Sequence, residues 1–414
     1  MENQKCKGMQ DWLPDDMRRF RYVEDAFRDC CAKWGYHEVR TPILEYLHLF
    51  TTTGTLTPSM LGKVYSFLDW DGWSGERVVL RPDGTIPVAR LYIDNLSKHE
   101  LAKLFYVTNI LAFEETGRES RERWQCGAEF LGGVKPVAEV EMILLAQEIV
   151  HKLGLRGVEL CLSHAGLVKS LIKELKFDPD EEAKLVSHVL EGNWQPLSEA
   201  KSSNPDFNRI LSLLLSFKGK SSGFLENVKA LSPKNSPEFN SNLEDFITIV
   251  TLLDSLSCNY EIDLKAIRGF EYYTGICFQL FVDGAKIGGG GGYDDLIPLM
   301  GGKDMPACGF ALYVDPILKW LPAESKEGNK LGVLVKAEEP TPEVARMCFV
   351  LAQSLRNAGQ VAELDFAGIE GPDYRWVVLV SGKGMGSLAL LDRKQGQRRE
   401  LQTIEEIVSY IQGV

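Results

Sequence analysis

Arg268-Gly269-Phe270-Glu271-Tyr272-Tyr273-Thr274-Gly275 sets a guanidinium, a carboxylate and two phenols side by side. A guanidinium can grip a carboxylate through two parallel hydrogen bonds, an acid can pair with an amine, and a phenol can hydrogen-bond a ring nitrogen. Together they could hold a small zwitterion that carries an aromatic ring. Taken by itself, the string fits equally well an aromatic turn leading into a strand. It does not stand alone. Upstream lies Leu80-Arg81-Pro82-Asp83-Gly84-Thr85, and downstream Gly288-Gly289-Gly290-Gly291-Gly292-Tyr293-Asp294-Asp295. The five glycines lack the Lys-Ser/Thr of a P-loop, so their number is no argument for a phosphate site. They are expected to let the backbone come close beside a ligand.

These side chains need a scaffold, and hydrophobic periodicity outlines one. Gly8 to Pro14 reads as a turn before a helix from about Pro14 to Trp34, with Phe20, Val23, Phe27, Cys30 and Cys31 at helical spacing. Tyr36 to Leu44 alternates like a strand, with Pro42 near its end. Residues 139–153 form a strongly patterned helix closed by Gly154, and 158–163, 277–282 and 308–314 read as strands. From about 165 to 255 the period is helical and the loops polar, as in an inserted helical segment. Residues 1–325 thus read as one α+β domain carrying that insertion. A charged linker over 322–330 leads to 331–414, where strands at 331–336, 376–381 and 388–392 and helices at 341–358 and 403–412 predict a small α/β domain.

The 414 residues are enough for two or three full cores, and 44% apolar with 25% charged residues is ordinary for a globular protein. No apolar run approaches a membrane span, and the first residues lack the apolar core of a signal peptide. Nine scattered cysteines without a C-x-x-C pair, and six histidines without ligand spacing, argue for reduced thiols and against zinc or disulfides. A cytoplasmic protein with no metal or cofactor is expected. The net charge of −12 counts against extensive contact with a nucleic-acid backbone.

The three strings, in their order, resemble the histidyl-tRNA synthetase family, which includes a paralogue without aminoacylation activity, the regulatory subunit of ATP phosphoribosyltransferase. The resemblance implies the antiparallel-sheet core of class II aminoacyl-tRNA synthetases, with a helical insertion and a C-terminal domain like the family's anticodon-binding domain. It also implies a histidine pocket. Asp83, where the synthetases carry Glu, and Thr85 would face the α-amino group. Gln125 and Glu129, in Trp124-Gln125-Cys126-Gly127-Ala128-Glu129, match a Q-x-G-x-E element that reaches the amino group and the imidazole. Arg268 would take the carboxylate and Tyr273 a ring nitrogen, with Tyr272 beside it. Pairing of Arg268 with Glu129 is the purely structural alternative. The Gly8–Pro14 turn and the helix and strand after it resemble the family's dimer-forming motif, so a homodimer within a larger hetero-oligomer is expected.

The nucleotide side departs from the family. Where its second motif has an arginine for the α-phosphate, this chain has Ala112 or, sliding the frame, Glu114. Arg118, Arg121 and Arg123 lie beyond. The third motif reads Gly309-Phe310-Ala311-Leu312-Tyr313-Val314-Asp315-Pro316, with Pro316 for the triphosphate arginine and Tyr313 for a glycine. Gly292 replaces another common arginine. Each lost phosphate contact should remove about 3 kcal/mol of transition-state stabilisation. In the C-terminal domain a basic helix of the family gives way to Phe366–Arg375, and 331–414 holds nine Lys/Arg against eleven Asp/Glu. The expectation is therefore a regulatory subunit that activates a short catalytic ATP phosphoribosyltransferase and senses histidine, with no catalysis of its own and no tRNA partner. A divergent active histidyl-tRNA synthetase, or a histidine-binding module for another partner, are the alternatives.

Overall fold

The computed structural model describes residues 5–56, 60–70, 75–112, 120–202, 204–220, 222–266, 272–321, 332–339, 341–366, 374–382 and 387–413. The chain divides into two compact units, Met1–Pro322 and Ala323–Val414. The first is built on helix α1 (Pro14–Lys33), which starts on a proline and two acids and ends on a lysine, as the helix dipole favours. Phe20, Val23, Phe27, Cys30 and Cys31 all lie on its buried face.

The expected strand over 36–44 is broken. Only β1 (His37–Glu38) joins the main sheet, and β2 (Leu44–Tyr46) belongs to a separate small one. The cause is Arg81, whose guanidinium donates to the carbonyls of Thr41 and Pro42 at 2.9 and 2.8 Å and to Asn109 O at 2.8 Å. It draws the chain between β1 and β2 away from the sheet edge. Helix α2 (Leu47–Thr52) follows, then β3 (Ser66–Trp70) and β4 (Gly75–Leu80), which complete a three-stranded sheet in the order β2-β4-β3.

The main sheet draws on the rest of the unit. After α3 (Thr85–Leu91) come β5 (Ala102–Leu111) and β6 (Glu122–Leu131), then α4 (Val137–Lys152), whose end Gly154 marks with a φ of +72°. Strand β7 (Val158–His164) leads into six helices, α5 (Ala165–Lys173), α6 (Pro179–Leu190), α7 (Gln195–Glu199), α8 (Pro205–Ser216), α9 (Ser222–Leu231) and α10 (Pro237–Ser255). The chain returns through β8 (Glu261–Ile262), β9 (Ile276–Val282), β10 (Ala285–Gly292), α11 (Leu296–Leu299), β11 (Ala307–Tyr313) and α12 (Val314–Trp320). The strand order is β1-β5-β6-β11-β10-β9-β7-β8, antiparallel except where β1 and β8 join at the two edges. Alternation splits this sheet by face. Cys126, Ala128 and Phe130 of β6 pack into the core that α1, α4 and the helices of 165–255 build, while Gln125, Gly127 and Glu129 point the other way.

In the second unit β12 (Gly332–Ala337), α13 (Pro342–Asn357), β13 (Ala362–Asp365), β14 (Tyr374–Ser381), β15 (Ser387–Asp392), β16 (Gln397–Leu401) and α14 (Ile404–Gln412) form a five-stranded mixed sheet, β13-β12-β14-β15-β16. Val333, Val335, Val378 and Leu390 meet Leu351, Leu355 and Ile407 of its two helices. Sequence reading misses β16. Its Gln-Arg-Arg-Glu-Leu is exposed along an outer edge, where charge protects against further pairing and hides the strand period. No described helix is long and apolar enough to cross a membrane.

Candidate functional site

The free face of the sheet is paved with small residues. Across the strands Glu129 stands opposite Gly309, Gly309 opposite Gly291, and Gly291 opposite Cys277. The next row runs Gly127, Ala311, Gly289, Gln279. A Cβ on Gly309 would collide with the Glu129 carboxylate and the Ala128 carbonyl, and one on Gly127 with the Tyr106 ring. Within the glycine run, which lies in β10, a Cβ on Gly289 would collide with the Phe278 carbonyl and one on Gly291 with the Ile276 carbonyl and the Tyr273 ring, so the run serves close packing and not a turn around phosphate.

On this floor Glu129 is 1% exposed and accepts hydrogen bonds from three hydroxyls: Thr85 at 2.8 Å, Tyr106 at 3.2 Å and Tyr293. Burial pushes its carboxyl up to about 8 against the pull of those bonds, with the charge of Asp83 adding to the rise. Tyr293 in turn touches Tyr272 edge-on at 5.8 Å and lies 6.4 Å from Tyr273, whose ring is 4.8 Å from that of Tyr272. Burial raises all three phenols, which stay neutral donors.

A cavity of about 270 Å³ opens beside this cluster. Asp83, Tyr272 and Tyr273 line it. Asp83 accepts from Ile86 N at 3.0 Å, and burial raises its carboxyl despite that bond. Thr85, Gln125 and Glu129 lie deeper, 8%, 5% and 1% exposed, and are not in the cavity wall. Gln125 Oε1 is buried without a hydrogen-bond partner among the described residues, an unmet acceptor that suits an incoming amine. The structure thus brings Asp83, Thr85, Glu129, Tyr272 and Tyr273 into one neighbourhood, while Gln125 stands across from Tyr313 in the sheet. Arg268 lies outside the described residues, as does Glu271.

The opposite wall is formed at the expected nucleotide positions. Ala112 and Tyr313 both line the cavity, and the Tyr313 ring takes space that a glycine would leave. Pro316 sits in the first turn of α12, where a missing amide is harmless, and Asp315 beside it accepts from Trp124 N at 3.1 Å. Space for an arginine at 292 is closed, because a Cβ there would press on the buried Glu139 carboxylate. Arg121 is engaged with Tyr65 OH at 3.2 Å and packs on the Gly8 backbone. Glu114 and Arg118 fall outside the described residues. Among the described residues no cluster of His, Cys, Asp or Glu could hold a metal ion.

Sequence reading missed several members of the site. Tyr106 sits in an apolar strand and reads as core. Tyr293 belongs to the glycine string, yet nothing local reveals that its hydroxyl reaches Glu129, 164 residues earlier. Lys63 and Lys286 also line the cavity, the latter with its ammonium 5.8 Å from the Tyr313 ring centroid.

An eight-stranded, largely antiparallel sheet with an inserted helical segment and an aromatic-capped pocket on its free face is the class II synthetase architecture. A family model described as Histidyl-tRNA synthetase matches residues 8–317, and the chain belongs to that family. Among its relatives is the ATP phosphoribosyltransferase regulatory subunit of Dehalococcoides mccartyi, 47% identical over 410 residues that span 99% of this chain and 98% of the relative. The histidine–tRNA ligase of Methanosarcina acetivorans is 33% identical over 98% of both chains. By these identities the chain stands nearer the regulatory subunit than that ligase. Solved structures of the same fold include an ATP phosphoribosyltransferase regulatory subunit/histidyl-tRNA synthetase from Bacillus halodurans, with a TM-score of 0.79 at 23% identity over 93% of this chain and all of the other. The histidyl-tRNA synthetase of Nostoc sp. superposes with a TM-score of 0.76 at 18% identity over 100% of this chain and 99% of the other.

Proposed function

We propose that this chain is a non-catalytic regulatory subunit of ATP phosphoribosyltransferase. It activates a short catalytic subunit in the first step of histidine biosynthesis and binds histidine as the feedback inhibitor. The observation that carries the reading is the asymmetry of the cavity. Its amino-acid side keeps Asp83, Tyr272 and Tyr273 in the wall with Glu129 behind them, whereas Ala112 in the wall and Pro316 in α12 stand where phosphate arginines are needed and Tyr313 fills the place of a glycine. Amino-acid binding without the family's phosphate arginines suits a sensor better than an adenylating enzyme.

In this reading the α-amino group meets Asp83 and Gln125, the carboxylate meets Arg268, and the imidazole lies between Tyr273 and Glu129, with Tyr272 in the wall and Thr85 behind it, bonded to Glu129. Once the proton that burial keeps on Glu129 is released to the bound ligand, its carboxylate offers about four acceptor positions, of which three hydroxyls occupy three, so one is left for a ring N–H. The second unit serves packing or protein contacts and not anticodon reading. The chain acts as a homodimer within a hetero-oligomer, in the cytoplasm.

The test is the rate of phosphoribosyl-ATP formation by a short catalytic subunit from the same organism, with this chain absent, present, and present with histidine. Activation that histidine reverses, and reversal that is lost in Arg268→Ala, is the expected result. An unchanged rate overturns the proposal. Histidine-dependent exchange of pyrophosphate into ATP would establish the synthetase alternative instead.

A further inference from the structure

The segment that carries Tyr272 and Tyr273 is held from behind by two different elements. On one side Thr274 N donates to Gly292 O at 2.8 Å, and Asp294 N donates to Thr274 Oγ1 at 3.0 Å. Asp294 is fixed by Lys135 at 2.6 Å, beside the buried Glu139. These contacts belong to the sheet and α4. On the other side stands the first turn and a half of α5. Ala165 N donates to Gly275 O at 2.8 Å, and Lys169 Nζ donates to Tyr273 O at 2.8 Å. Gly166 packs so tightly that a Cβ would collide with the Thr274 carbonyl and the Asn242 side chain of α10.

α5 is itself tied to α10. His164 is fully buried at its N-cap, and its Nδ1 accepts from Leu167 N at 3.0 Å. That bond leaves the proton on Nε2, which lies 3.2 Å from Asp245 Oδ2 on α10. The His164 ring also meets Phe246 at 5.7 Å. A chain of contacts therefore runs from α10 through His164 and α5 to the carbonyl of Tyr273, with the pocket on the far side of that residue.

We propose that Lys169 is a positioning residue for Tyr273 and that the His164–Asp245 pair sets its place, so the helices of 165–255 govern the pocket's affinity for its ligand. The inference rests on the reading of the cavity as a histidine site. A shift of α10 alters where the Tyr273 phenol stands without touching any group that contacts the ligand. The same contacts let ligand binding shift α10, because coupling between two sites is reciprocal.

Histidine titration of the full chain by calorimetry tests it. Lys169→Ala is expected to weaken binding about tenfold, as for a lost hydrogen bond from a charged donor, and Lys169→Arg to restore most of it. Asp245→Ala should weaken binding about threefold. Lys173→Ala, on the same helix but facing solvent beside Glu238, should leave it unchanged. The deciding measurement is a double-mutant cycle with Tyr273→Phe. If Lys169 acts through that phenol, Lys169→Ala costs little further affinity once the hydroxyl is gone. Additive losses, or equal affinities for wild type and Lys169→Ala, overturn the positioning role while leaving the histidine site standing. No binding by the wild-type chain overturns the site itself, and this inference with it.

Discussion

Glu129 shows what a single carboxyl does when three hydroxyls and a glycine floor enclose it. Its pKa is carried from the usual 4.5 up to about 8 by burial. Between those values the folded chain keeps a proton that the unfolded chain has released. The contribution of this carboxyl to stability is therefore fully present below pH 4.5 and is lost as pH rises through 8, by at most about 1.4 kcal/mol per pH unit. Glu139, raised to about 7 mainly by burial, adds a loss of the same sign over a lower window. Glu129→Gln keeps the shape and removes one of these titrations. Urea denaturation at pH 5.5 and pH 8 should show the wild type losing stability relative to the variant as pH rises. Parallel behaviour of the two proteins would contradict the buried, protonated carboxyl. The same variant should bind histidine about tenfold more weakly, since an amide cannot give up a proton to become the charged acceptor that the ring N–H meets.

At the scale of elements, Arg81 does more than its place in a ligand-like string suggests. Its guanidinium bonds to Thr41, Pro42 and Asn109 join the main sheet to the three-stranded one, and it is only 5% exposed. Arg81→Lys cannot reproduce that fork and leaves carbonyls unmet, so it should cost about 2–4 kcal/mol in chemical denaturation. A change within a few tenths of a kcal/mol would show that the joint is not a source of stability. This arginine also marks the limit of what local pattern reveals. α1 and α4 are legible because a 3.6-residue period and their capping residues agree with the packing they meet. The 36–44 segment alternates correctly, yet a side chain forty residues away decides where it goes. The acids and phenols of the pocket are legible as types, and their strings suggest one ligand. Their partners Tyr106, Tyr293 and Lys169 are not, because strand register and the α5–α10 contact alone bring them near.

For the whole molecule, feedback on the proposed reading requires only that histidine prefer the inhibited arrangement of the assembly. A difference of about 1–3 kcal/mol suffices, which corresponds to about a 5- to 150-fold ratio of affinities. Nothing in such a device needs the nucleotide side of the cavity, so Tyr313 and Pro316 stand there at no cost to sensing. Linkage then makes a quantitative demand. If substrates of the catalytic subunit stabilise the active arrangement, saturating them must weaken histidine binding by the same factor by which histidine weakens theirs. Histidine affinity measured for the assembled complex, with and without those substrates, should differ by that factor. Strong inhibition with an unchanged histidine affinity would put the effect on the catalytic step, whereas a histidine affinity of the complex untouched by Tyr273→Phe and Arg268→Ala would mean that histidine acts elsewhere in the assembly. The cavity above the glycine floor would then be a relic of its family and not the sensor.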